Sequence, residues 1–239
     1  MDFKVKVCDE VTEFKLTDSG LVYFADRKES TDRPKTLAVF VNPIGGKGRG
    51  EQEFSTTVLP VLTLAGIKTD VIVSQKPGHA KEFANAFDMK SADGLVIMGG
   101  DGTISEIFNV LMRRTQDKAG VMFNDPNVTL KTMEFPIAVI PTGTGNGLAN
   151  IIHGCKDTLT STLHIIKGQK KYGNIFGNFN GEELVGFGIL NIGYGLFLEI
   201  AHQLTIQRWL GFLRLLVVPL WYMLIRPCRE IDVQITYEY

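Results

Sequence analysis

The sequence predicts an α/β fold: a doubly wound parallel sheet followed by a second, smaller β-rich domain that is cut short at its C-terminus. Three observations predict it. The runs Leu37–Val41 and Gly94–Met98 are continuously apolar, which marks strands buried on both faces. Segments with helical periodicity separate these strands, so the connections are crossovers and the sheet is parallel. Glycine-rich loops follow directly after three of the strands, where an open parallel sheet places its ligands.

Taken in order, residues 1–34 form a leader that alternates charge with Phe3, Val5 and Val7, then runs from Glu13 to Phe24 around an Asp18-Ser19-Gly20 turn. It reads as a hairpin or as the end of an upstream module, and the charged stretch Arg27–Pro34 reads as a linker. Residues 35–169 form the α/β domain. Its strands are Leu37–Val41, Thr69–Ser74, Gly94–Met98 and Phe135–Ile140; its helices are Glu51–Ala65, His79–Phe87, Thr103–Arg113 and one opening at Leu148–Ile152. Residues 170–239 form the β-rich domain, with strands expected at Tyr172–Phe179, Glu183–Ile192 and Ile231–Tyr237. The chain stops just past the last of these, so a fragment or a shortened isoform is expected.

Composition narrows the function. Net charge is −1 and no Lys/Arg run is present, which gives no support to nucleic acid as a partner. Three cysteines without CxxC spacing fit a reducing compartment, without a disulfide scaffold or structural zinc. His153 and His202 lack metal-ligand spacing, and His79 and His164 read as ordinary helix or surface residues. The N-terminus has no secretory h-region, and the expected localisation is cytoplasmic with peripheral association to intracellular or plasma membranes. The apolar stretch Trp209–Ile225 carries Arg214 and Pro219 and falls short of the ~20 clean residues of a spanning helix. It is expected to be a buried or interfacial helix pair.

The three loops are Asn42-Pro43-Ile44-Gly45-Gly46-Lys47-Gly48, Gly99-Gly100-Asp101-Gly102-Thr103 and Pro141-Thr142-Gly143-Thr144-Gly145-Asn146-Gly147. Glycines there let an anion reach bare backbone N–H groups and helix N-termini. None is a P-loop, because Gly48 follows Lys47 where a hydroxyl residue is required, and none is a clean GxGxxG. Asp101 is the acid that a reacting hydroxyl would meet beside the phosphate, so the pattern predicts phosphoryl transfer. Thr103-Ile104-Ser105-Glu106 also matches a capping box, a role compatible with Glu106 touching a nucleotide or its metal.

These loops, with Gly193-Tyr194-Gly195, Glu199, Arg208-Trp209-Leu210-Gly211 and Arg214, resemble the diacylglycerol/sphingosine/ceramide lipid kinase family from about Arg33 to the end. The resemblance implies a nucleotide domain followed by a sandwich-like lipid domain, ATP and Mg²⁺ as cofactors, and a lipid acceptor at a peripheral membrane surface. It makes Asp101 the acid that deprotonates the lipid hydroxyl. It makes Asn42, Pro43, Ile44, Ser74, Gln75, Lys76, Pro77, Gly78, Gly99, Gly100, Gly102, Thr103, Glu106, Gly143, Thr144, Gly145, Arg208 and Arg214 nucleotide contacts. Bidentate guanidinium–phosphate pairing suits both arginines.

Arg33-Pro34-Lys35, Arg114-Thr115-Gln116, Ala119-Gly120-Val121 and Gln207–Gly211 resemble the ceramide kinase branch. Sphingosine kinases read their substrate's amine with an aspartate in the stretch matching Gly195–His202; the matching position here is Ala201, with Glu199 nearby as the substrate contact. Gly143-Thr144-Gly145-Asn146 is more similar to the sphingosine and diacylglycerol branches. The resemblance therefore implies transfer of the γ-phosphate to a sphingolipid hydroxyl, with ceramide ahead of sphingosine and diacylglycerol. NAD kinase and phosphofructokinase-like enzymes also use a Gly-Gly-Asp-Gly loop, but the Asn-Pro-x-Gly-Gly loop and the apolar stretch argue against them. A catalytically impaired lipid-binding fragment is the reading from another class.

Overall fold

The computed structural model describes residues 2–7, 10–17, 20–24, 33–125, 128–168, 170, 172–180, 183–189 and 196–225. It contains two compact units, Met1–Leu190 and Asn191–Tyr239.

In the first unit the leader is an antiparallel meander of β1 (Asp2–Val7), β2 (Glu10–Thr17) and β3 (Gly20–Phe24). The expected hairpin is its second half, with Thr17 opposite Gly20. The turn residues Asp18 and Ser19 lie outside the described residues.

The main sheet has four parallel strands: β4 (Thr36–Val41), β5 (Lys68–Val73), β6 (Gly94–Gly99) and β7 (Ile137–Pro141), in spatial order β5-β4-β6-β7. The central pair is the apolar pair, and Leu95 to Met98 are 0% exposed. Side chains alternate between two cores, as strand geometry requires. Leu37, Val39, Val41, Val96 and Met98 face Phe54, Val58, Leu62, Leu163 and Ile166. Ala38, Phe40, Leu95 and Ile97 face Ala80, Ala84, Ile104, Ile107 and Leu111. Helices thus cover both faces, and the doubly wound expectation holds.

The first crossover runs as α1 (Gly50–Glu53), one π turn (Phe54–Val58) and α2 (Leu59–Leu64). Pro60 has no N–H to give to the preceding turn, and the widened ladder sits just before it. The other helices of this unit are α3 (His79–Ala86), α4 (Asp101–Ala119), α5 (Gly147–His153) and α6 (Thr158–Lys167). Sequence periodicity missed α6, although Asp157 caps it by accepting from the Thr160 N–H at 2.7 Å.

Helix α4 starts two residues before the expected Thr103 and runs six past the expected Arg113. The extension is held by polar contacts. Arg114 donates to the carbonyls of Ala84 and Phe87 at the end of α3, at 2.6 and 2.7 Å. Gln116, fully buried, exchanges two hydrogen bonds with the backbone of Lys131. An antiparallel hairpin, β8 (Phe176–Asn180) and β9 (Glu183–Gly188), completes the unit and packs Leu184 and Phe187 on Phe108 and Met112 of α4. The expected strand Ile231–Tyr237 lies outside the described residues.

The second unit contains α7 (Leu196–Ile206), a 3₁₀ segment (Arg208–Leu213) kinked at Gly211, and α8 (Arg214–Ile225). On α8, Val218 and Tyr222 are buried one turn apart, while Leu216, Leu220, Trp221, Met223 and Leu224 are exposed. Trp209 and Phe212 are more than four-fifths exposed, which argues against simple core packing for this stretch. Among the described residues no helix is long and apolar enough to cross a membrane.

Candidate active site

The sheet order fixes where a ligand can sit. The chain moves from β4 outward to β5, then crosses back to β6 on the other side of β4. The direction of winding therefore reverses between β4 and β6, and the crevice opens beyond their carboxyl ends. The first two glycine loops leave those two strands, and the third leaves β7 beside them.

The three loops interlock. Asn42 donates through Nδ2 to Thr103 Oγ1 at 2.8 Å and accepts the Ile44 N–H at 3.2 Å, tying the first loop to the second. A Cβ on Gly46, whose φ is +56°, would lie 2.5 Å from the Thr142 carbonyl oxygen. Gly100 and Gly143 meet backbone to backbone, so close that a Cβ on Gly143 would collide with the Gly100 Cα. Asn146 closes the third loop on itself, accepting the Gly143 N–H and donating to the Gly143 carbonyl, both at 2.8 Å, in the left-handed region at φ 55°.

Asp101 joins the second loop to the third. Its two carboxylate oxygens accept the N–H groups of Gly147 at 3.0 Å and Leu148 at 3.1 Å, the opening residues of α5. Gly145 lies against it, where a Cβ would be 3.1 Å from Oδ2. Asp101 is itself the first residue of α4, with Gly100 in the N-cap position. The expected capping box is therefore absent: Thr103 sits inside the helix and its hydroxyl accepts from Asn42. Glu106, one turn onward, is half-buried and lines a groove with Gly102, Ser105 and Asn109.

The turn Ser74–Gly78 lies at the same sheet edge, since Ser74 N–H donates to the Val41 carbonyl just before Asn42. His79 holds the turn by accepting the Gln75 N–H at 3.1 Å, and Lys76 pairs with Glu82 at 2.8 Å. The structure thus brings together Asn42–Ile44, Gly99–Thr103 and Gly143–Gly145, with Ser74–Gly78 flanking and Glu106 one turn away. Asn109 and Arg113, which face the groove from α4, escaped sequence reasoning because they read as an ordinary polar helix face.

Residues 36–176, more than half of the chain, match the family model described as the diacylglycerol kinase catalytic domain. The chain belongs to that family. Human ceramide kinase is 37% identical over 184 residues, covering 77% of this chain and 34% of the human protein. Sphingoid long-chain bases kinase 1 of Arabidopsis thaliana is 35% identical over 161 residues, 67% of this chain and 19% of that protein. Sphingosine kinase 2 of the same plant is 30% identical over 194 residues, 78% of this chain and 37% of that protein. The chain spans about a third of the length of the ceramide kinases it matches.

The stretch matching the diacylglycerol kinase catalytic domain carries all three loops, Asp101 and Glu106. Glu199, Arg208 and Arg214 lie beyond it in the second unit. Glu199 sits in the first turn of α7 and Arg208 opens the 3₁₀ segment. Arg214 donates to the Leu204 carbonyl at 3.0 Å and so ties α8 to α7.

Helix α5 of this catalytic domain is held at its other end by histidines. His153 is buried and its Nε2 lies 2.9 Å from the Val139 carbonyl, so Nε2 carries the proton. Its Nδ1 then accepts from Nδ1–H of His164 on α6, at 3.0 Å. Burial lowers the pKa of His153, opposed by the Val139 hydrogen bond; burial, then His153 and Lys167, lower that of His164. A pKa depressed below the ordinary value of 6.5 keeps both rings neutral in the folded state while the unfolded chain takes up protons. This contribution to stability is complete above that value and is lost as pH falls from it toward the folded-state pKa values. The melting temperature should therefore drop on acidification below about pH 6.5. His164→Gln should flatten that dependence in a thermal melt series, and an unchanged slope would exclude the pair as its origin.

Proposed function

We propose that the chain is an ATP-dependent lipid kinase that transfers the γ-phosphate to the primary hydroxyl of a sphingolipid, ceramide ahead of sphingosine and diacylglycerol. The observation that carries the reading is the interlocked set of glycine loops at the switch point, with a single carboxylate, Asp101, in their midst. Backbone N–H groups of Gly45–Gly46 and Thr144–Gly145 and the N-terminus of α4 would hold the phosphates. Asn42, Thr103 and Asn146 shape the loops and are already bonded within them.

In the proposed reaction the lipid hydroxyl oxygen attacks the γ-phosphorus in line, the bond to the β–γ bridging oxygen breaks, and ADP leaves. The hydroxyl proton passes to an Asp101 carboxylate oxygen. Each of those oxygens has a second lone pair beyond the amide it accepts. The amides of Gly147 and Leu148 fix the direction in which those lone pairs point. Among the described residues no group of three or more acidic, His or Cys side chains could cage a metal. Mg²⁺ bound with the nucleotide would be held by the phosphates and one carboxylate, for which Glu106 is the candidate. The ion would neutralise charge on the transferring phosphoryl group.

The ceramide preference is supported by Ala201, which offers no charge to a sphingosine amine, and by the ceramide kinase among the relatives. Trp209, Phe212, Trp221 and Leu224 give the second unit an exposed apolar surface suited to the membrane interface. Radiolabelled ATP with ceramide, sphingosine and diacylglycerol in separate mixed micelles tests the reading. Label should enter ceramide phosphate first. Label in sphingosine alone would overturn the substrate, and label in no lipid would overturn the activity.

A further inference from the structure

Helix α4 does more than open at the Gly-Gly-Asp-Gly loop. Ser105, Asn109 and Arg113 recur every fourth residue along it and so share one face. Asn109 treats β9 as a neighbouring strand would: Oδ1 accepts the Phe187 N–H at 2.6 Å and Nδ2 donates to the Phe187 carbonyl at 2.9 Å. The same Nδ2 donates to the Ser105 carbonyl at 2.9 Å, so the amide orientation is fixed by its partners. One turn on, Arg113 donates to the carbonyls of Leu184 and Val185 at 3.0 and 3.2 Å, with its guanidinium over the Phe123 ring. Gly186 lies between these contacts, and a Cβ there would stand 2.9 Å from Asn109 Oδ1. Only a bare backbone lets the strand come this near.

The clamp borders a groove of about 580 Å³ lined by Lys81 of α3, by Gly102, Ser105, Glu106, Asn109 and Arg113 of α4, and by Val185 of β9. Gly102, beside Asp101, marks one end. Two cations against one carboxylate favour an anionic occupant.

We propose that Asn109 and Arg113 are positioning residues: by pinning β9 to the flank of α4 they set the width of this groove, and with it the affinity for the magnesium nucleotide that Glu106 and the loops receive. The inference rests on the kinase reading for its ligand, while the clamp itself stands on geometry. Asn109→Leu leaves Phe187 without either bond, Asn109→Asp keeps the acceptor and loses the donor, and Gly186→Ala presses on the Asn109 amide and pushes the strand away with every residue of α4 unchanged.

For Asn109→Leu and Gly186→Ala, the KM for magnesium ATP should rise about tenfold with kcat at saturation held within about twofold. Asn109→Asp should fall between these variants and the wild type. Hydrogen exchange at Leu184–Phe187 should quicken in the same order while β6 stays protected. Calorimetric binding of magnesium ADP should weaken in parallel. Faster exchange with unchanged ADP affinity would overturn the proposal, leaving a purely structural clamp, and unchanged exchange would overturn the clamp as well. Wild-type protein that binds ADP yet phosphorylates no lipid would refute the kinase reading, and the binding arm would still decide the clamp. If Asn109→Leu does not fold, Asn109→Asp carries the test.

Discussion

Asp101→Asn should reduce phosphoryl transfer by about 10²- to 10⁴-fold, the range for loss of a general base, and it should also weaken the junction between two loops. An amide offers one acceptor oxygen where the carboxylate has two. Its NH₂ would face the Gly147 or Leu148 N–H, donor against donor. One half-buried amide is then left unsatisfied, at a cost of about 1–3 kcal/mol. The variant should therefore melt lower than the wild type, by roughly 2–4 °C per kcal/mol for a chain of this size. Affinity for magnesium ADP should change far less than turnover, because the loop backbones proposed to receive the phosphates remain. Single-turnover kinetics beside calorimetric ADP binding separates the two effects. Turnover near the wild-type rate would remove Asp101 from the chemistry and leave it only the loop-joining role.

Gly143→Ala should be strongly damaging although it adds a single methyl group. The new Cβ would overlap the Gly100 Cα and stand 2.8 Å from Asn146 Oδ1 and 2.9 Å from the Gly100 nitrogen. Backbone cannot swing aside as a flexible side chain does, so the second and third loops must separate. Overpacking of this kind costs about 1–3 kcal/mol. Because the proposed phosphate cradle is made of those two loops, ATP affinity should fall with stability. Gly102→Ala is the control for stability: no atom lies within 4 Å of its Cβ, and alanine in a helix is favoured by about 0.5–1 kcal/mol. It should melt at or above the wild-type temperature. Equal melting temperatures for Gly143→Ala and the wild type would show that the loops do not meet as described.

Much of this architecture was legible in the sequence because its signals are local. Unbroken apolar runs marked β4 and β6, and glycines directly after them marked the loops. The reversal at β4 and β6 emerges only from the pairing β5-β4-β6-β7, which no local pattern encodes. Helix α4 was read too short because Arg113, Arg114 and Gln116 break the apolar periodicity. In the fold those side chains bond β9, the end of α3 and the Lys131 backbone. Thr103 and Glu106 matched a capping box by spacing, but backbone geometry starts the helix at Asp101 and gives the Thr103 hydroxyl to Asn42. Asn109 was silent for the same reason: a polar residue on a helix announces nothing until its partner, a strand edge 78 residues away, is in place.

In the proposed site, three loops distant in sequence receive one set of phosphates. Hydrogen exchange with and without magnesium ATP tests it most directly. Amides in 42–48, 99–103 and 141–148 should gain protection together, with the same dependence on ATP concentration. Protection confined to one loop, or absent from all three, would contradict it.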